Sequence, residues 1–241
     1  MEHLLSIIIP TYHEEKTIEK TVRQFAALRV PHEVIVSGKK GVDRTLEIAR
    51  TCADKVVEIP EGEKGGVSPA RNDGVAIAAG DFLVFIDSDT YIADPDAFFG
   101  RLLERFTGDP RIAGVSVRIT VSPAVATWSD RAVSFLMNAW FFLLNRYAGV
   151  GIASGKFIMV RADAFRKAGG FNEEMKTAED VDLFRKLRKF GLTRIAWELE
   201  VQHEGRRFHK LGAWRTFFRW IMNGISYWTF GRSSDTWEPV R

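Results

Sequence analysis

Asp87, Ser88 and Asp89 are the first residues in this sequence with an evident chemical use. Two carboxylates two positions apart, directly after an apolar run, can gather on one hard cation. Mg²⁺ or Mn²⁺ takes such oxygen ligands and would bridge a diphosphate. The same three residues also suit an ordinary turn. Glu179 and Asp180 form a second acidic pair. Asp180 shares a helical face with Leu183, Phe184 and Leu187, so its carboxylate is expected to point inward. Asp182 falls on the opposite side and is expected in solvent. Thr177 to Asp180 also has the form of a capping box, which is a structural use for the same acids.

Arg71 sits at a helix start within EKGGVSPARNDG. There it could reach a phosphate or a base, or stand as a surface arginine. Neither that stretch nor GIASGKF at 151–157 has the spacing of a P-loop, and no GxGxxG follows the first apolar run, which disfavours a dinucleotide-binding loop. His203 is followed by Arg206 and Arg207. The histidine is open between a structural role and a ligand role, and the arginines between holding a leaving diphosphate and lying in solvent.

These groups need a scaffold, and the pattern around them supplies one. Residues 4–9 are a β-branched run stopped by Pro10. Residues 14–28 have helical spacing, with Ile18, Val22, Phe25 and Leu28 on one side. A strand at 34–36, a helix at 43–53 and a strand at 56–59 follow. After a glycine-rich loop at 61–68, Pro69 opens a helix that runs to 79, and a strand occupies 82–86. This alternation predicts an α/β fold with a largely parallel sheet and helices on both faces. In open sheets of that kind ligands bind beyond the carboxyl ends of the strands, which is where Asp87 and Asp89 fall. The second half reads as an extended segment at 112–121, an apolar segment at 132–144, a strand at 156–160, a helix at 179–190 stopped by Gly191, and a last helix at 210–229.

The 241 residues contain 46% hydrophobic and 27% charged side chains, the balance of a globular chain with a real core. Net charge is +3 and the sequence pI about 9.0. That mild excess suits nucleotide diphosphates or acidic headgroups, and no long basic run asks for nucleic acid. Cys52 is the single cysteine, which fits a cytoplasmic setting. MEHLLSIIIPTY lacks the basic segment and the apolar length of a secretory signal, and reads as a first strand.

Three blocks, SIIIPTYHEEKTI, PARNDGVAIAAGDFLVFIDSDT and AGGFNEEMKTAEDVDLFRKLRKFG, in that order and spacing, resemble glycosyltransferase family 2, the inverting enzymes of GT-A fold. The resemblance implies one glycosyltransferase domain over 1–241. A nucleotide-sugar-binding half would take about 1–110, and an acceptor-binding half with a C-terminal amphipathic helix about 111–241. It carries the family's DxD motif onto Asp87 and Asp89 as metal ligands for Mg²⁺ or Mn²⁺. The acidic motif falls on Glu179 and Asp180, with Asp180 the catalytic base. The donor site would include Pro10, Thr11, Tyr12, Glu14, Ser37, Arg71, Asp87, Ser88 and Asp89, and His203 would join the metal.

The implied partners are a nucleotide-diphosphate sugar donor and a saccharide or lipid-linked acceptor. The implied reaction is one in-line displacement, in which Asp180 takes the acceptor hydroxyl proton and the anomeric configuration inverts. One loop departs from the family. Where two aspartates usually follow the second strand, VSGKKGVDRT has Gly38 and Lys39. The group that commonly reads the base is therefore replaced, leaving Lys39 or Lys40 on phosphate, or backbone groups on the base. That departure keeps a non-catalytic nucleotide- or glycan-binding relative as an alternative. A nucleotidyltransferase would be expected to carry a glycine-rich basic signature near the N-terminus, and none is there.

The apolar segment at 132–144 is shorter than the ~20 residues that span a bilayer. It is flanked by Arg131 and Arg146 and contains Trp140. In the last helix Leu211, Trp214, Phe218, Ile221, Ile225 and Trp228 form a stripe expected to pack on the protein. Trp220 and Tyr227 are expected on the solvent side beside Arg215 and Arg219, as in a helix lying peripherally on an anionic membrane.

Overall fold

The computed structural model describes residues 3–40, 43–60 and 65–230. In the first half, strands β1 (Leu5–Thr11), β2 (His32–Lys39), β3 (Lys55–Ile59) and β4 (Phe82–Ile86) alternate with helices α1 (Ile18–Arg23), α2 (Thr45–Ala49) and α3 (Val67–Ala76). Then come β5 (Thr90–Tyr91), α4 (Pro95–Gly108), β6 (Ile112–Val121) and α5 (Trp128–Leu143), which runs into a π-helical turn at Leu144–Ala148. The chain continues through β7 (Phe157–Arg161), α6 (Ala162–Ala168), α7 (Glu179–Leu187), β8 (Leu192–His203), α8 (Arg206–Leu211) and α9 (Ala213–Phe230).

The strands form one mixed sheet in the order β3-β2-β1-β4-β7-β6-β8-β5. β1 to β4 are mutually parallel, β7 is antiparallel to both its neighbours, and β6 runs parallel to β8. Strands from the two halves of the chain interleave, since β4 borders β7 and β5 borders β8.

Alternating side chains bury both sheet faces. Ile7, Ile9, Val84 and Ile86 meet Ile18, Val22 and Phe25 near α1 and Phe99, Leu102 and Phe106 of α4. Ile8, Leu83, Phe85 and Ile158 face Phe165 of α6 and Leu183, Phe184 and Leu187 of α7. A sheet buried on both faces reads as continuous apolar strands, which is how 82–86 looks in sequence.

Several expected boundaries move. Pro10 does not stop β1, which runs alongside β2 to the pair Thr11–Gly38 after its pairing with β4 has ended at Ile8. Proline is tolerated where a strand has lost one neighbour. The helix expected over 43–53 is only Thr45–Ala49. The helix expected over 210–229 is two helices, broken at Gly212, whose φ of +86° suits glycine.

Four elements have no counterpart in the sequence-based expectation: β5, α4, α6 and β8. α4 had a legible signal, since Asp94 Oδ1 caps Ala97 N at 3.1 Å, Pro95 opens the first turn, and Phe98, Phe99, Leu102 and Phe106 are buried. β8 hid because its register against β6 jumps from Ala196 to Glu200, which breaks the period-2 pattern.

Candidate active site

β1, β2 and β4 point their carboxyl ends to one side, and Asp87 leaves β4 there. The loop that follows is pinned: Thr21 Oγ1 donates to Ser88 O at 2.6 Å, and Thr90 N donates to Asp87 O at 3.0 Å. The Asp87 side chain is 29% exposed and that of Asp89 only 9%. Lys156 Nζ lies 3.2 Å from Asp87 Oδ2 and also hydrogen-bonds Asp89 Oδ1. Arg206 Nη2 reaches Asp89 Oδ2 at 3.1 Å and Glu14 Oε2 at 3.2 Å. Burial disfavours the charge of Asp89, but Lys156 and then Arg206 outweigh it and hold the carboxyl well below its ordinary range.

Arg71 joins this group to the second acidic pair. Its side chain is 1% exposed and stacks on Phe171 with the guanidinium carbon 5.0 Å from the ring centre. Nη2 donates to Asp87 Oδ1 at 3.1 Å and to Gly155 O at 2.7 Å, and Nη1 donates to Glu179 Oε1 at 3.1 Å. Gly155 is shared again, because its N–H donates to Asp180 Oδ2 at 2.6 Å. A Cβ at Gly155 would lie 3.0 Å from Arg71 Nη2 and 3.4 Å from Asp180 Oδ2, so a side chain there would crowd both. Asp180 Oδ1 accepts from Val181 N at 2.8 Å. Burial and the neighbouring Glu179 push the Asp180 carboxyl up to about 7. Glu179 is also raised, because burial outweighs Arg71.

The capping-box alternative for these acids does not form. α7 starts from Ala178 in the left-handed region (φ +60°) with no side-chain cap. A non-glycine residue there is strained and persists only where its surroundings impose it. Asp182 is not in solvent. It is 4% exposed, accepts a 2.7 Å hydrogen bond from Tyr227 Oη and pairs with Lys186 Nζ at 2.7 Å. Tyr227 is correspondingly buried, contrary to the expectation from its helix face.

On the strand side, Thr11 Oγ1 donates to Ser37 O at 3.2 Å, and among the described residues the Ser37 hydroxyl has no partner. Tyr12 is exposed, and Glu14 is tied to Arg206 and Thr17. Gly38 has a local reason: a Cβ there would lie 2.3 Å from Thr11 Oγ1 and 2.7 Å from Thr11 O. Lys39 lies across Gly65, whose added Cβ would meet Lys39 Cε at 2.6 Å. His203 pairs with Thr90 across the sheet, its Nδ1 accepts from Gly205 N at 3.1 Å, and burial and then Lys156 lower its pKa to about 4.

The structure thus gathers Asp87, Asp89, Arg71, Glu179, Asp180 and Arg206 in one charged network. It adds Gly155 and Lys156, which stand in a stretch whose spacing is not that of a P-loop and which carries no other local signal. Among the described residues no three His, Cys, Asp or Glu groups converge to hold a metal by themselves. Two carboxylates on a rigid loop still suit Mg²⁺ or Mn²⁺, which commonly takes one or two carboxylates and completes its shell with substrate phosphate and water.

The family model for glycosyl transferase family 2 matches residues 6–169, more than half of the chain. A hyaluronan synthase of Pasteurella multocida is 27% identical over 248 residues, which cover 96% of this chain and 24% of that protein. A beta-monoglucosyldiacylglycerol synthase of Trichormus variabilis is 27% identical over 254 residues, 98% of this chain and 51% of that protein. The chain therefore spans between a quarter and a half of these relatives' lengths. Among solved structures, the Pyrobaculum calidifontis mannosyltransferase PcManGT, in complex with GDP-Man and Mn²⁺, superposes with a TM-score of 0.70 at 19% identity, over 95% of this chain and 65% of that one. S. aureus TarS in complex with UDP gives 0.64 at 20% identity, over 95% and 72%. At these identities the likeness establishes the shared GT-A fold, and the family match goes further: the chain belongs to glycosyl transferase family 2.

Proposed function

We propose that the chain transfers a sugar from a nucleotide-diphosphate donor to an acceptor hydroxyl with inversion, Asp180 serving as general base. The observation that carries this reading is the Arg71 link. One buried guanidinium binds Asp87 of the DxD pair and Glu179 beside the base, and shares Gly155 with Asp180. The donor end and the acceptor end of a displacement are then held in fixed relation, which is what an in-line reaction needs.

A divalent cation at Asp87 and Asp89, Mg²⁺ or Mn²⁺, would supply charge neutralisation for the departing diphosphate. Asp180 accepts the proton of the acceptor hydroxyl, whose oxygen bonds the anomeric carbon as the bond to the diphosphate breaks. A carboxyl raised to about 7 is a stronger base than an ordinary one and remains half ionised at neutral pH. Arg71 holds Glu179 in place. Pro10, Thr11, Tyr12, Glu14 and Ser37 sit at or just past the carboxyl ends of β1 and β2, the end from which Asp87 leaves β4, and the nucleotide would lie there. The solved relatives named for complexes with GDP-Man and UDP support a nucleotide-sugar donor without choosing the base. Asp180→Asn is the test: donor binding, read by thermal shift with nucleotide sugars and Mn²⁺, should persist while transfer falls by roughly 10²–10⁴. Near-normal transfer would remove Asp180 from the mechanism.

The same proposal includes a membrane-delivered acceptor, on a face different from the one expected. Trp220 is half-buried against Phe208, with ring centres 5.6 Å apart, and Tyr227 is buried on Asp182. Of the stripe expected to pack inward, Trp214 and Phe218 are exposed, joined by Met222, while Leu211 and Ile221 are half-buried. The Ile225 and Trp228 side chains lie outside the described residues. α5 adds exposed Phe135, Leu136, Trp140 and Leu143, and Arg131, Arg146, Arg215 and Arg219 are exposed on these two helices and the π-helical turn. No helix among the described residues is long and apolar enough to cross a membrane. Aromatic rings beside arginines suit the surface of an anionic bilayer. Flotation with anionic vesicles should carry the wild type upward and leave Trp140→Ser/Phe218→Ser below. Equal flotation of both would refute this surface.

A further inference from the structure

Lys156 puts a protein cation where the donor's cation is expected. The sheet register seats it. β4 and β7 pair Ile86 with Phe157, so the next residues outward, Asp87 and Lys156, face each other, and Asp87 N donates to Lys156 O at 3.4 Å. Opposed residues of an antiparallel pair place their side chains on the same side.

All four oxygens of the DxD pair are thereby engaged. Asp87 Oδ1 takes Arg71 and Asp87 Oδ2 takes Lys156, while Asp89 Oδ1 takes Lys156 and Asp89 Oδ2 takes Arg206. Of the three cations Arg71 is locked, with three acceptors and an aromatic ring around it. Among the described residues the Lys156 ammonium is held by the two carboxylates, and its side chain is 26% exposed on a flexible stem. A divalent cation bridging the same two carboxylates would meet this ammonium at close range, and like charges at that separation repel strongly.

We propose that Lys156 is an internal competitor for the cation site. It holds Asp87 and Asp89 together while the donor is absent, and it leaves them when a nucleotide diphosphate arrives to take the ammonium on its own oxygens. Cation uptake is then coupled to donor arrival. This rests on the reading that Asp87 and Asp89 take the donor's cation.

The experiment is isothermal titration of Mn²⁺ into the full chain, alone and with UDP or GDP, for wild type, Lys156→Met and Asp89→Asn, with circular dichroism to verify folding and Lys156→Gln as a second variant. The wild type should bind Mn²⁺ weakly alone and about tenfold or more tightly with nucleotide, as expected when one unit charge is moved off the site. Lys156→Met should bind Mn²⁺ alone about tenfold more tightly than wild type and lose most of the nucleotide dependence. Asp89→Asn should abolish both. If Lys156→Met and Lys156→Gln bind Mn²⁺ no more tightly than wild type, the competitor role is overturned while the cation site stands. If no folded variant binds Mn²⁺ with either nucleotide, the cation site fails and the competitor role fails with it.

Discussion

Replacing Arg71 by Met keeps the apolar stem of the side chain and removes the guanidinium, with its charge, its donors and its stacking on Phe171. The wild-type guanidinium is 1% exposed and serves Glu179 and Asp87, whose side chains are 15% and 29% exposed. Removing one partner of a buried pair leaves the other charge uncompensated, which costs about 3–5 kcal/mol. For a chain of this size, at roughly 2–4 °C per kcal/mol, the melting temperature should fall by on the order of 10 °C. The loss should depend on pH, with a sign that the structure sets. Glu179 already has a raised pKa, and Arg71 is the main group pulling it down, so the variant's Glu179 rises further above the ordinary value of 4.5. A group whose folded pKa is raised gives stability below its unfolded pKa and loses it as pH climbs through the folded one. The deficit of Arg71→Met should therefore be small near pH 4.5 and grow toward pH 8. The assay is urea unfolding followed by circular dichroism at several pH values, with Arg71→Met/Glu179→Gln completing a double-mutant cycle. In the double variant most of the deficit at pH 8 should disappear, because the carboxylate that lost its direct partner is gone. A deficit under about 1 kcal/mol at pH 8, or one that does not change with pH, would refute the reasoning.

Three further outcomes follow from the same geometry. Because Asp180 must be ionised to accept a proton, wild-type transfer at subsaturating substrate should rise with pH to a plateau above about 7, and a profile flat from pH 5 to 8 would separate the rate from this carboxyl. Gly38→Asp, which restores a family-like residue, should destabilise by about 1–3 kcal/mol by overpacking against Thr11, and an unchanged urea midpoint would show that the loop yields freely. Tyr227→Phe removes the hydroxyl from Asp182 but leaves Lys186 on that carboxylate, so the cost should be about 1–2 kcal/mol, and no change in midpoint would mean that α9 does not clamp α7 through this bond.

The two acidic motifs were legible because they sit where local pattern changes. An apolar strand ending in Asp87 can be read within a few residues, and so can a helix whose inward face is headed by Asp180. Lys156 is not legible in GIASGKF, because its partner Asp87 is 69 positions away in sequence and meets it through the antiparallel pairing of β4 with β7. Asp182 was misplaced for a related reason. Helical spacing puts it opposite Asp180, but that side of α7 is covered by Tyr227 from a helix formed 45 residues later.

What the sequence determined by itself is the alternation of strands and helices through β4, the burial of Ile18, Val22, Phe25 and Leu28, and the position of the DxD pair beyond a strand end. All of these rest on periodicities of two and 3.6, which are local. What only the tertiary structure decided is which charges meet and which faces are covered. The outward turn of Trp214 and Phe218 shows why: α9 is apolar on both sides, so its own pattern cannot select an inner face. The choice is made by what the neighbours provide. Phe208 receives Trp220 and Asp182 receives Tyr227, and with those contacts made Trp214 and Phe218 are left to solvent. In the same way three cations on four carboxylate oxygens are a property of the assembled loops, since Arg71, Lys156 and Arg206 come from three separate parts of the chain and share no local signal.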